Sequence, residues 1–343
     1  MLVYSVLLLF LTLVFFFSLK KRKPIFLYIT SLLILFGIAW LRDASVGTDT
    51  QTYLLQFENL ELYDTTRYFT GIQRGWYYFN LLFSSYFNYD VFLFACYSII
   101  IGGIGYWIYK ESDNYIMSLF FFVLFMFYFG SFNIMRQYIA ISIVFMALLH
   151  FKNIKIYVSL VLLASLFHFS ALFAYSFLLI NKVKIGNIIF VLCTIIISFI
   201  VGFFYGDKLT DTINTLMWLA RINEGVQGYL DAYGGGRNIL PNLGINSVFI
   251  LSYILSKTKK NLYLKLYFFY IILFNLFGSM GQGNRIFLYL QIPIIIIIPW
   301  IYYRIKNRII ANAYLGYTLM YAAATAYISF SRNTADIIPY IMR

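Results

Sequence analysis

Charge is scarce in this chain: Lys, Arg, Asp and Glu make up 11% of its 343 residues, against roughly 25% in a soluble globular domain. A soluble fold is excluded. Cysteine is scarcer still, with Cys96 and Cys193 each inside an apolar run, so neither a disulfide framework nor a thiolate metal site can be read from them. There are two histidines, and no second His or Cys stands at ligand spacing to His168, which argues against zinc. The chain contains no Asp-X-Asp, so divalent-metal glycosyl transfer has no support, and no cofactor or metal is expected. Acids number 13 against 26 basic residues, a net charge of +13. In a soluble protein that excess would suggest nucleic acid. Here the basic residues gather in short loops between apolar runs, where they set membrane orientation instead, and no nucleic-acid partner is expected.

What the sequence has in abundance is apolar length. A spanning helix needs about 20 mostly apolar residues, and the 62% hydrophobic composition is laid out as such runs separated by polar hinges. Spans are predicted near 2–19, 25–41, 91–109, 115–132, 134–150, 186–205, 244–256, 263–280, 286–303 and 309–330. The first is not a cleavable signal peptide, because Lys20, Lys21, Arg22 and Lys23 follow the apolar stretch instead of preceding it. The expected fold is therefore all-α: one polytopic integral membrane helical bundle over residues 1–343, with about 12 crossings, external loops and re-entrant segments.

Two regions resist a simple count. Gly75 to Phe87 is too short to cross upright and reads as an interfacial or re-entrant segment. Ile156 to Ile180 is a long run interrupted by His168 and Ser170, either one span or a broken hairpin with His168 at its tip. The hairpin gives the consistent charge map. It places Lys20 to Lys23, Lys110, Lys152, Lys155, Lys182, Lys184, Lys257, Lys259, Lys260, Lys265, Arg304, Lys306 and Arg308 inside, with only Glu111 and Asp113 among the acids. Positive loops then face the cytoplasm and both termini lie outside.

On that map the long segments 42–74, with an amphipathic stretch, and 206–243 are external loops. Long loops in a compact domain are usually functional. The outer level collects Arg42, Asp43, Asp49, Arg136, His168, Arg237, Arg285 and Arg332. Several permanently charged, fork-shaped donors at one membrane level suggest recognition of phosphate or carboxylate. Snorkelling at helix ends is the alternative for any one of them. Arg136 resists it, since it lies between two spans joined almost without a loop on the side where basic residues are least expected. Arg285, in Gly281-Gln-Gly-Asn-Arg285, has the same character, and Arg237 follows three glycines, Gly234 to Gly236.

Three blocks in order carry a resemblance. Arg42-Asp-Ala-Ser-Val-Gly-Thr-Asp49 with Tyr53 and Phe57, then Phe132-Asn-Ile-Met-Arg-Gln-Tyr-Ile-Ala140, then Leu163-Ala-Ser-Leu-Phe-His-Phe-Ser-Ala171 resemble the EpsG-like branch of the Wzy-type bacterial polysaccharide polymerases, and the layout is similar from about residue 1 to about residue 330. Arg74-Gly-Trp76 stands where that family often has Glu-Gly-Tyr. The resemblance implies polymerisation of undecaprenyl-pyrophosphate-linked oligosaccharide repeats, donor and acceptor both lipid-linked, at the outer face of the bacterial cytoplasmic membrane. Membrane lipids, chain-length regulators and flippase proteins are the implied partners.

Such transfer needs a cationic clamp for charge building on the leaving group and a base for the acceptor hydroxyl. Arg136 and Arg285 are assigned to the clamp, with Arg42 and Arg237 as auxiliaries and Tyr53 and Gln137 as further substrate contacts. Asp49 or His168 is the acceptor base, the other orienting sugar hydroxyls or phosphate. The rival functions are a flippase or transporter for lipid-linked sugars, a glycan ligase using the same donor, and a membrane O-acyltransferase with His168 as base. Coupled transport usually places carboxylates inside the membrane, and all 13 acids fall outside the spans or at their ends.

Overall fold

The computed structural model describes residues 2–20, 23–60, 73–219, 239–256, 260–278 and 285–343. Among these the secondary structure is helical, apart from one isolated antiparallel bridge between Arg42 and Met342. In chain order the helices are α1 Leu2–Lys20, α2 Ile25–Trp40, α3 Thr50–Glu58, α4 Arg74–Tyr86, α5 Tyr89–Glu111, α6 Tyr115–Leu124, α7 Phe127–Asn133, α8 Met135–Leu149 and α9 Ile154–Ser165. A 3₁₀ segment, Phe169–Tyr175, follows. Then come α10 Ser176–Lys182, α11 Ile188–Leu219, α12 Ile239–Leu255, α13 Leu262–Phe277, α14 Leu288–Gln291, α15 Ile294–Tyr302 and α16 Arg308–Ser331.

Asparagines start several of these helices. Asn88, Asn114, Asn153 and Asn261 each accept a hydrogen bond from the backbone N–H three residues on, opening α5, α6, α9 and α13. Each bond satisfies one of the N-terminal donors that a helix leaves unpaired.

Four described segments are long and apolar enough to cross a membrane: Leu2–Lys20, Tyr89–Glu111, Ile188–Thr212 and Arg285–Tyr302. The pair α6 and α7 makes a fifth if its 54° bend lies within one span. Six further apolar helices have 10–17 residues, which at 1.5 Å per residue reach about 15–26 Å, short of a hydrocarbon core of about 30 Å. The protein is thus a helical membrane protein with four or five full-length spans by this measure. The larger count, about 12 crossings, belongs to hydropathy, which does not see where a helix breaks.

The breaks have local causes. Between α6 and α7, Met126 takes a left-handed conformation, φ 63°, so 115–132 is two helices. Between α14 and α15 stands Pro293, which has no N–H to continue the ladder. In the other direction, α11 continues past Tyr205 to Leu219 with Asp207, Lys208 and Asp211 exposed. Hydropathy ends a span there, but not the helix, and the first part of 206–243 is therefore helical. The run 156–180 folds back on itself: Tyr157 OH donates to the Ala174 carbonyl at 2.6 Å and Tyr175 OH to that of Val158 at 3.2 Å. The turn is Leu166 to His168.

The chain forms two compact units, Met1–Tyr175 with Ala322–Arg343, and Ser176–Tyr321. In the first, α5 packs along α8 and α2, α8 packs against α9, and α1 lies on α6. Trp107 stacks on Phe145 at 4.3 Å between ring centroids. Buried tyrosine hydroxyls reach backbone carbonyls across helices: Tyr28 to Gly105, Tyr97 to Ser131 and Tyr128 to Leu35, at 2.7–3.1 Å. A phenol in an apolar interior needs such a partner. In the second unit, α11 packs along α13. The Asn246 and Asn275 amides exchange hydrogen bonds of 2.9 and 3.0 Å, and Asn275 also donates to Ser198, a polar tie between otherwise apolar helices.

Residues 333–343 make a strap across the first unit. Asn333 organises its turn, accepting from the Ile337 and Ile338 N–H groups and donating to Asp336 and to the Ile338 carbonyl. Beyond it, Asp43 N–H donates to the Ile341 carbonyl and Arg343 N–H to that of Leu41. Arg343 pairs with Asp90, while Tyr4 and Tyr340 donate to the carbonyls of Ile337 and Ile38.

Candidate functional site

The first block is a loop pinned from three sides. Arg42 ends the turn after α2, its side chain fully buried. The guanidinium lies 4.8 Å from the Tyr97 ring and 4.6 Å from the Phe132 ring and donates to the carbonyls of Ala39 and Phe132. Two aromatic faces and the carbonyl end of α2 stabilise the cation. Asp43 accepts from the Ser45 N–H and hydroxyl, at 2.9 and 2.7 Å, bonds that hold its carboxyl below the ordinary carboxylate range.

Gly47 has φ +102°, and a Cβ there would lie 2.6 Å from Asn133 Oδ1. No other residue fits that backbone and that approach. The approach lets Asn133 Oδ1 accept from Thr48 N–H at 3.0 Å, while the Gly47 N–H donates to the Asp336 carbonyl. Asp49 follows at the threshold of α3, half-buried, and accepts from the Thr48 hydroxyl at 3.1 Å.

Arg136 is the second residue of α8. A helix N-terminus already carries partial positive charge, so a cation there is unfavourable unless an anion joins it. Its Nη1 donates to Gln73 Oε1 at 2.8 Å, its guanidinium carbon lies 6.0 Å from the Trp76 ring, and its buried Nε–H has no partner among the described residues. Tyr53, on α3, donates to the Asn133 carbonyl at 3.2 Å. Burial pushes its phenol up, the Arg136 charge pulls it back and Asp49 pushes it further, so Tyr53 stands in the field of both groups. Gln137, the next residue of α8, is buried inside the unit.

The third block reaches this assembly through α4. The Trp76 N–H donates to the Leu166 carbonyl at 3.2 Å, and Gly75 sits so close that a Cβ would lie 2.7 Å from that of Leu166. Phe79 meets Phe167 edge-on at 5.8 Å. His168, one residue further, lies at the hairpin tip, its Nδ1 2.6 Å from Ser170 Oγ, its ring stacked with Phe169 at 5.5 Å.

Residues 73–76 are therefore the joint, holding Arg136 with Gln73 and the His168 turn with Gly75 and Trp76. The sequence reading singled out neither Gln73 nor Asn133 nor the strap. An amide three residues before Arg136, and turn-forming residues after a final apolar run, were the available signals. Arg237 lies outside the described residues. Arg285 is half-buried in a turn before α14 and belongs to the second unit. Among the described residues no three His, Cys, Asp or Glu side chains gather as a metal ion would require.

The three blocks that converge here are those that carry the family resemblance, and the EpsG family profile matches residues 25–342. The chain belongs to the EpsG family. No curated protein and no solved structure matches it. The EpsG match spans the Arg42 loop, Arg136, the His168 hairpin and nearly all of the strap.

Proposed function

We propose that this EpsG-family chain polymerises polyprenyl-pyrophosphate-linked oligosaccharide repeats at the outer face of the bacterial cytoplasmic membrane, with both termini external. The observation that carries the reading is Arg136: a guanidinium at a helix N-terminus, braced through Nη1 by Gln73, with a buried Nε–H that no group among the described residues satisfies. An unsatisfied buried donor costs about 1–3 kcal/mol, and a phosphate oxygen would relieve it. The fork and the helix N-terminus together suit a diphosphate leaving group.

In the proposed reaction the acceptor sugar hydroxyl attacks C1 of the donor saccharide. The C1–O bond to pyrophosphate breaks with its electron pair going to the lipid diphosphate, and the hydroxyl proton passes to a base, Asp49 or His168. Arg136 meets the charge that develops on the leaving group. Tyr53 contributes to the substrate side of the site. Buried Arg42 acts by holding the Asp49 loop. Roles for Gln137, Arg237 and Arg285 rest on the sequence pattern, and each is tested by its own substitution. Membrane lipids, a flippase and a chain-length regulator are the partners this reading implies. Against coupled transport, Asp90 and Glu111 at the ends of α5 and Asp207 and Asp211 within α11 are exposed.

The test is purified protein in lipid vesicles supplied with a polyprenyl-pyrophosphate-linked repeat unit. A ladder of products one repeat apart is expected. A single transfer to a different acceptor would make the protein a ligase, and movement of the lipid across the bilayer without a new glycosidic bond would make it a flippase.

A further inference from the structure

His168 and Asp49 compete for one role, and the surroundings of His168 separate them. Neutral imidazole carries one N–H and one lone pair, and the partner of each nitrogen decides which is which. Two groups of Ser170 converge on His168 Nδ1: the hydroxyl at 2.6 Å and the backbone N–H at 3.4 Å. A backbone N–H can only donate. A proton on Nδ1 would face that N–H, so the lone pair is on Nδ1 and the ring proton is on Nε2.

The arrangement is fixed by its backbone. The His168 N–H is bound to the Ala164 carbonyl, and the His168 carbonyl accepts from Ala171. Ser170 is buried in the first turn of the 3₁₀ segment, and Phe169 stacks on the imidazole.

Resting on the polymerase reading, we infer that Ser170 is a positioning residue that holds His168 as an Nε2–H donor, so that His168 orients a saccharide or phosphate oxygen and Asp49 takes the acceptor proton. A general base must present a lone pair to the proton it removes. In His168 the lone pair is turned to Ser170 and the other nitrogen already carries hydrogen. The balance of the step is then complete: the acceptor O–H proton goes to the Asp49 carboxylate, the acceptor oxygen bonds to C1, and the C1–O electron pair leaves with the diphosphate beside Arg136.

Two experiments on the full chain test this. The chain has two histidines, so a His150→Gln background labelled with ¹⁵N-histidine and examined by solid-state NMR in lipid reports His168 alone. The neutral ring should show its proton on Nε2, and Ser170→Ala, which keeps the backbone N–H, should leave it there. A proton on Nδ1 in the unsubstituted site overturns the inference. Separately, a glutamine amide nitrogen occupies the place of Nε2 and an asparagine amide that of Nδ1. His168→Gln should stay within about tenfold of the parent rate while His168→Asn and His168→Ala fall at least about tenfold further. Glutamine as damaging as alanine, in protein that inserts and melts like the parent, also overturns it, since loss of a base costs ~10²–10⁴-fold. Absence of any product ladder from the parent protein would remove the polymerase reading, and the spectrum would still decide the tautomer.

Discussion

Gln73 Oε1 accepts a hydrogen bond from Arg136 Nη1 at 2.8 Å, tying the residue before α4 to the N-terminus of α8. The bond orients the guanidinium without neutralising it. An amide leaves the full positive charge available to a ligand, which a carboxylate would not.

The first expected outcome follows from that distinction. Gln73→Glu should abolish polymerisation, because the carboxylate competes with phosphate for the fork, whereas Gln73→Ala should lower turnover by only about tenfold, the loss of one orienting bond. Ladder formation at saturating substrate measures both. Equal activity in the two variants would remove Gln73 from the site.

Arg136→Lys should impair turnover nearly as much as Arg136→Ala, since an ammonium cannot reproduce a bidentate grip on a diphosphate. Full activity with lysine would reduce the site to charge attraction.

Gly47→Ala should destabilise the protein by about 1–3 kcal/mol and lower activity, because it combines a left-handed backbone with an overlap on Asn133. Thermal unfolding in detergent measures it. An unchanged melting temperature would mean that the loop has another way to sit.

Asp43 supplies a pH dependence. Its carboxyl is depressed by the Ser45 bonds, so its stabilising contribution is present above the unfolded carboxylate value of about 3.9 and is lost as pH falls through the lower folded value. Ser45→Ala should melt below the parent at neutral pH, and the gap should close in acid. A gap that persists unchanged at low pH would assign the effect to something other than the carboxylate.

Orientation is tested with an impermeant thiol reagent on intact cells, in a Cys193→Ser background. Thr48→Cys and Asn238→Cys should react; Lys184→Cys and Lys259→Cys should not. Asn238 and Lys259 lie outside the described residues, and Lys184 follows the hairpin that decides the second half of the map. External labelling at Lys184 would overturn that orientation.

Hydropathy was enough to find α5, read as 91–109 and observed as Tyr89–Glu111, and α8, read as 134–150 and observed as Met135–Leu149. Their apolar runs are long and bounded by polar residues. It could not find the break at Met126, which depends on one backbone angle, nor the extension of α11 through charged residues that simply face outward. Of the candidate site residues, Arg136, Tyr53, Asp49 and His168 stand out in the sequence because charge, phenol and imidazole are conspicuous in an apolar chain. Gln73 and Asn133 were not. An uncharged amide gains its meaning from a partner 63 residues away in the chain, or 85, or 202, and sequence read locally does not reveal those partners.

The strap gives the protein a particular biogenesis. Chains are synthesised from the N-terminus at about 5–20 residues per second, so α1 to α9 enter the membrane well before residues 335–343 exist. During that interval the loop carrying Asp49 lacks the Asp336, Ile341 and Arg343 backbone bonds and the Asn133 contact to Ala335. A nascent or prematurely terminated chain can therefore insert its helices while its loop stays open. Closure waits until residues 335–343 have been made.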